Sequence, residues 1–128
     1  ILGAFVSGLD AGRIYQTWPL MGDNYIPNDI FLINLLELNN HSLVQFYHRN
    51  LAYIIILYVL FLSVFIYKNK IANLYNPLKI LLFILFLQIS LGIFTLISGL
   101  NIYIASLHQI TSVLLVFSAL NLYYFTAK

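Results

Sequence analysis

The sequence predicts an all-α membrane protein, an antiparallel transmembrane four-helix bundle whose first helix is only partly present. Three observations carry this. Of the 128 residues, 62% are hydrophobic and 16% aromatic, while only 8% are charged; a soluble domain carries about 25% charged residues. The charges also fall between long apolar stretches, with none in residues 50–67 and none in residues 80–127. Such stretches supply the roughly 20 residues that cross about 30 Å of hydrocarbon at 1.5 Å per residue. Six basic and four acidic side chains cannot make a polar shell for a globule in water. A soluble enzyme and a disordered tail are therefore excluded. So is electrostatic nucleic-acid binding, because a net charge of +2 gives no phosphate footprint. The lack of cysteine removes disulfides, thiolate metal sites and thiol nucleophiles.

The length allows a single domain, residues 1–128. Residues 1–9 read as the end of a helix, where Gly3/Ser7 and Ala4/Gly8 are small pairs at i,i+4 that suit close helix contact in lipid. A start at Ile1 inside an apolar stretch, with no signal-peptide pattern, reads as a piece of a longer protein. Residues 10–42 form a long polar connection. Within it Pro27-Asn28-Asp29, followed by Ile30, Phe31, Ile33, Leu35 and Leu38, predicts a short capped amphipathic helix lying at the membrane surface. Full spans are expected at about 44–66, 78–98 and 102–125, the last two separated by Ser98-Gly99-Leu100-Asn101.

Basic residues orient the bundle. The loop 68–77 contains Lys68 and Lys70, with Lys79 just beyond and no acid, whereas Asp10, Asp23, Asp29 and Glu37 all lie in 10–42. The positive-inside rule places 68–77 inside and 10–42 outside. Tyr67, Tyr75, Tyr123 and Tyr124 then mark the inner interface, and Trp18, Tyr47 and Tyr103 the outer one.

Three histidines are the candidates for chemistry. His41, in Asn39-Asn40-His41-Ser42, reads as a solvated loop residue. His48 and His108 each fall about one turn inside the outer end of a span, and those two spans run parallel because one helix separates them. Equal depth follows, and ionisable residues inside a span are functional candidates. Two imidazoles facing each other across a bundle core suit the two axial positions of a haem iron. A bare metal would want further ligands, which the chain does not provide within its spans. Alternatively, each histidine serves only as a hydrogen-bond donor to a neighbouring carbonyl. Gln45, His48 and Ala52 share one helix face, as do His108, Thr111, Ser112 and Leu115. Gln88, Gly92, Thr95 and Ser98 form a small, polar stripe expected to face the interior. Arg49 is placed either to pair with a carboxylate such as a haem propionate or to snorkel to headgroups.

The segments Gly3-Ala4-Phe5-Val6-Ser7-Gly8-Leu9-Asp10-Ala11-Gly12, Trp18-Pro19-Leu20-Met21-Gly22-Asp23 and Ile26-Pro27 resemble the haem A synthase family of the α-proteobacterial and mitochondrial branch. Val44-Gln45-Phe46-Tyr47-His48-Arg49 and Leu107-His108-Gln109 are similar to the two histidine motifs of its C-terminal half, although Tyr47 stands where related sequences often carry Asp. The resemblance implies an eight-helix, pseudo-symmetric inner-membrane protein, bacterial or mitochondrial, of two four-helix halves, each with a histidine pair for a haem. It implies oxidation of the C8 methyl of haem O to the formyl group of haem A, with the catalytic machinery in the N-terminal half. This chain would then be the C-terminal electron-relay half, holding haem b iron through His48 and His108 with Arg49 beside it. The implied partners are the N-terminal half with its haem O, a haem O synthase, an unidentified electron donor and membrane lipid. Two other readings stand beside it: a stand-alone bis-histidine cytochrome b, and a non-enzymatic membrane assembly subunit.

Overall fold

The computed structural model describes residues 2–30 and 37–126. Among them are four α-helices: α1 (Leu2–Gly8), α2 (His41–Lys68), α3 (Tyr75–Ile97) and α4 (Ile102–Thr126). Short 3-10 turns at Ala11–Arg13 and Ala72–Leu74 precede the outer loop and α3. The all-α membrane fold is thus as expected. The heart of the amphipathic helix expected after Pro27 falls on residues 31–36, outside the described residues; before it, Ile30 N–H closes one turn onto the Pro27 carbonyl at 3.1 Å.

Each long helix starts where a cap or a turn permits, and two of them start earlier than hydropathy alone sets. The Asn40 side chain accepts from Leu43 N–H at 3.0 Å and caps α2. His41 is therefore not a loop residue but the first residue of α2, exposed at its outer end. The polar Asn39–Ser42 stretch is a cap and a first turn, not a connection. Similarly α3 begins before Pro77, which is buried within its first turn, where a missing N–H costs no intrahelical bond. Asn101 caps α4 by accepting from Tyr103 N–H at 3.0 Å.

The helices end by left-handed turns. After α2 the Ile71 N–H reaches back to the Ile66 carbonyl at 3.2 Å across Lys70 at φ 54°. After α3 the Leu100 N–H reaches Thr95 at 2.9 Å across Gly99 at φ 69°. Both are six-residue closures that satisfy carbonyls at a helix end.

Three helical stretches, His41–Lys68, Ala72–Ile97 and Ile102–Thr126, are long and apolar enough to cross a membrane. By helical rise the shortest of them spans about 37 Å, more than the hydrocarbon thickness of about 30 Å. α3 and α4 pack along each other extensively, and α1 lies on the outer half of α2. The tight core sits towards the 68–77 end, where Val59 and Ile66 of α2 meet Leu74, Leu78, Leu81 and Leu85, with Leu122 of α4 closing it. Elsewhere the large apolar side chains face outward, among them Phe61, Phe83, Phe86, Phe117 and Tyr123. A surface this apolar suits lipid or another apolar partner rather than water. Hydroxyls in the helices are satisfied locally: Ser63, Thr95 and Thr111 each donate to the carbonyl one turn back at 2.7 Å.

The outer loop folds down on α2. Met21 N–H pairs with the Asn24 carbonyl at 2.8 Å, and Thr17 Oγ1 accepts from Gly22 N–H at 2.8 Å. Gly22 has φ 75°, the left-handed conformation that glycine takes without a Cβ clash. The Tyr25 hydroxyl donates to Asn50 Oδ1 at 2.6 Å while its ring packs edge-on against Phe46.

Candidate haem site

His48 lies seven residues into α2 and His108 six residues into α4, counted from His41 and Ile102. The two helices run in the same direction, so both imidazoles lie about 9–10.5 Å along the helix axis from their N-terminal ends. Both rings are partly buried.

Each ring rests on a glycine of the preceding helix. A Cβ at Gly3 of α1 would stand 3.5 Å from His48 Cε1, an ordinary contact. A Cβ at Gly92 of α3 would stand 3.0 Å from His108 Cε1, closer than an ordinary contact, and 3.5 Å and 3.6 Å from Nδ1 and Nε2, so glycine lets this ring lie on the α3 backbone without a shift. There, the His108 Nδ1–H donates to the Gln88 carbonyl at 3.1 Å. With the proton on Nδ1, the Nε2 lone pair is available, and the Gln88 side-chain amide approaches it only to 3.5 Å. An Nδ1–H tied to a backbone carbonyl is how metal-ligating imidazoles are commonly oriented.

Among the described residues no three His, Cys, Asp or Glu side chains converge. A donor set of two imidazoles suits a metal that brings its own equatorial ligands, as haem does, and does not suit a bare ion.

Above the imidazoles, Arg49 is turned into the protein. Its Nη1 donates to the Thr17 and Leu20 carbonyls at 2.9 and 3.2 Å, and its Nη2 to the Tyr15 carbonyl at 2.9 Å. Gln45, one turn earlier, donates to the same Tyr15 carbonyl at 2.9 Å. Among the described residues, Arg49 Nε, Gln45 Oε1 and Gln88 Oε1 are buried without a partner. Arg49 therefore holds the loop through three carbonyls, a role not expected from the sequence, and keeps one buried donor spare.

The polar stripe on α3 is partly as expected: Gln88 and Gly92 meet His108 and Thr95 is buried, but Ser98 is exposed and bonds back to the Thr95 carbonyl. Of the residues on the His108 face, Thr111 is buried whereas Ser112 is exposed. His41 lies apart from both other histidines, at the helix end. The pairing of Gly3 with His48 and the backbone role of Gln88 were not read from the sequence; the small pair at Gly3 and the Gln88/Gly92 spacing were the available signals.

These features define a class, the all-α multi-pass membrane protein with paired intramembrane imidazoles. Within that class, the sequence model of the cytochrome oxidase assembly protein family (COX15-CtaA) matches residues 1–120, and the chain belongs to this family. It is 45% identical over 124 residues to a "Heme A synthase" of Pelagibacter ubique, covering 92% of this chain and 35% of that protein. Similar proteins of the same name occur in Rickettsia felis, 42% identical with 89% and 34% covered, and Wolbachia pipientis wMel, 42% identical with 94% and 33% covered. The chain thus spans about a third of the length of these relatives. No solved structure matches it.

Proposed function

We propose that this chain is the C-terminal, haem b-binding and electron-relay half of a haem A synthase, with His48 and His108 as axial ligands of the haem iron. The observation that carries the reading is the pair of imidazoles at equal depth on parallel helices, each lying against a glycine. When bound, haem b supplies a one-electron carrier. His108 is held by the Gln88 carbonyl with Nε2 left for iron, and His48 lies on Gly3. The unpartnered Nε–H of Arg49 suits a propionate oxygen while Nη1 and Nη2 keep the loop.

His48 and His108 would hold the haem iron from two sides, a donor set that would suit electron transfer over oxygen activation. No Asp or Glu lies within a span, so this part offers no carboxyl group for substrate chemistry. Oxidation of the C8 methyl of haem O to the formyl of haem A is therefore assigned to the N-terminal half. The functional setting is the inner membrane, with a haem O synthase as supplier and an electron donor yet to be identified. The 128-residue chain by itself should form no haem A from haem O and reductant; formation of it would refute this division of labour.

In the full-length protein, His48→Leu and His108→Leu should each abolish the six-coordinate low-spin spectrum of this haem and lower haem A output. His41→Leu should leave both intact. Loss of the spectrum in His41→Leu with retention in His108→Leu would sink the ligand assignment.

A further inference from the structure

Resting on that reading, we propose that α3 tunes the haem through its backbone, with Gln88 and Gly92 as positioning residues that make His108 the more electron-donating of the two axial ligands. The two histidines differ in a way their depth does not reveal. His108 Nδ1–H is tied to the Gln88 carbonyl at 3.1 Å, whereas among the described residues the His48 ring has no hydrogen-bond partner. A carbonyl accepting from Nδ1–H pulls the imidazole towards imidazolate character and raises its basicity towards iron. A more basic ligand stabilises the ferric over the ferrous state, which lowers the midpoint potential.

Gly92 lets the ring lie close against α3. The added Cβ of an alanine would meet Cε1 at 3.0 Å, tighter than an ordinary contact, so the imidazole must give by a few tenths of an ångström, which lengthens its bond to the Gln88 carbonyl. At Gly3 the added Cβ meets His48 at 3.5 Å and forces nothing. At Gly8 it meets nothing within 4 Å. The three glycines are thus a graded series from one substitution type, and the proposal predicts that only one of them matters.

The test uses the full-length, haem-loaded protein in detergent or nanodiscs. A low-spin signal that His108→Leu abolishes must first be present; its absence defeats the ligand reading itself and takes the proposal with it. Given that signal, redox titration should show a higher midpoint potential for Gly92→Ala and an unchanged one for Gly8→Ala. An unchanged potential in Gly92→Ala, or an equal rise in Gly3→Ala, would overturn the proposal while leaving the ligands standing. Should Gly92→Ala not accumulate, redox-induced infrared difference spectra of the unaltered protein decide the matter. The ring mode lost in His108→Met is expected to carry the hydrogen-bonded signature and the one lost in His48→Met not to carry it; identical modes would overturn the proposal.

Discussion

The Arg49 guanidinium is only 8% exposed and meets three carbonyls from a segment 29–34 positions earlier in the chain. Hydrogen bonds to a charged group contribute about 1.5–3 kcal/mol, and leaving buried acceptors unpaired costs a similar amount. Arg49→Ala should therefore destabilise the protein by about 1.5–3 kcal/mol and expose the loop between Arg13 and Tyr25 to protease. Arg49→Lys should not restore it, because an ammonium lacks the planar fork that serves carbonyls from two nitrogens. Arg13 is the natural comparison. It faces Asp10 at 3.8 Å with both side chains more than 70% exposed, so its loss should change stability by no more than about 0.5 kcal/mol. Thermal unfolding of the two variants in the same detergent distinguishes them, and equal effects would refute the loop-holding role. The adjacency of His48 and Arg49 made a cation beside the candidate ligand legible from sequence. Its acceptors were not legible, since nothing local says which loop carbonyls return to it. The same holds for the Gln88 carbonyl, a backbone atom that no side-chain pattern encodes.

Spans and their ends obey different physics, and that separates what hydropathy could place from what it could not. The existence of α2, α3 and α4 follows from transfer of long apolar stretches into lipid, a property summed over about 20 residues and insensitive to any one of them. A helix start depends on a single residue that satisfies the first free N–H groups. At α2 that residue is Asn40, and the polar first turn it begins looks like loop on any hydropathy scale. At α3 the position of Pro77 inside the first turn reverses the simple expectation that a helix begins after a proline. Asn40→Ala should therefore cost about 1 kcal/mol and fray α2 at His41–Leu43. Hydrogen exchange of the α2 amides would show it, with faster exchange confined to the first turn. Uniformly faster exchange along α2 would mean that the cap does more than start the helix. His41→Leu should produce no such fraying, because the capping oxygen belongs to Asn40.

The bundle as a whole joins two arguments that must agree: imidazole depth and membrane orientation. α2 and α4 run parallel whichever way the chain is inserted, so equal depth depends only on the three-span topology. Which side of the membrane lies near the imidazoles depends on charge. Lys68, Lys70 and Lys79 cluster at the end remote from His48 and His108, with the stacked Tyr67 and Tyr75 rings, 4.9 Å between centroids, beside them. The four acids lie at the histidine end. Because basic residues near span ends are retained on the cytoplasmic or matrix side, residues 68–77 should face inward and the imidazoles should sit in the outer leaflet. An electron donor or haem supplied from the outer face would then meet the site beneath the loop that Arg49 holds. Single cysteines at Asn24 and Asn73, both exposed, test this directly in a chain with no cysteine among its 128 residues. With other cysteines of the full-length protein replaced, an impermeant thiol reagent added to intact cells should label position 24 but not 73, and inverted vesicles should reverse the pattern. Labelling of 73 alone in intact cells would invert the bundle and move the imidazoles to the inner leaflet. Labelling of both from one side would mean that α2 does not cross the membrane, and would separate His48 from His108 by most of the membrane thickness.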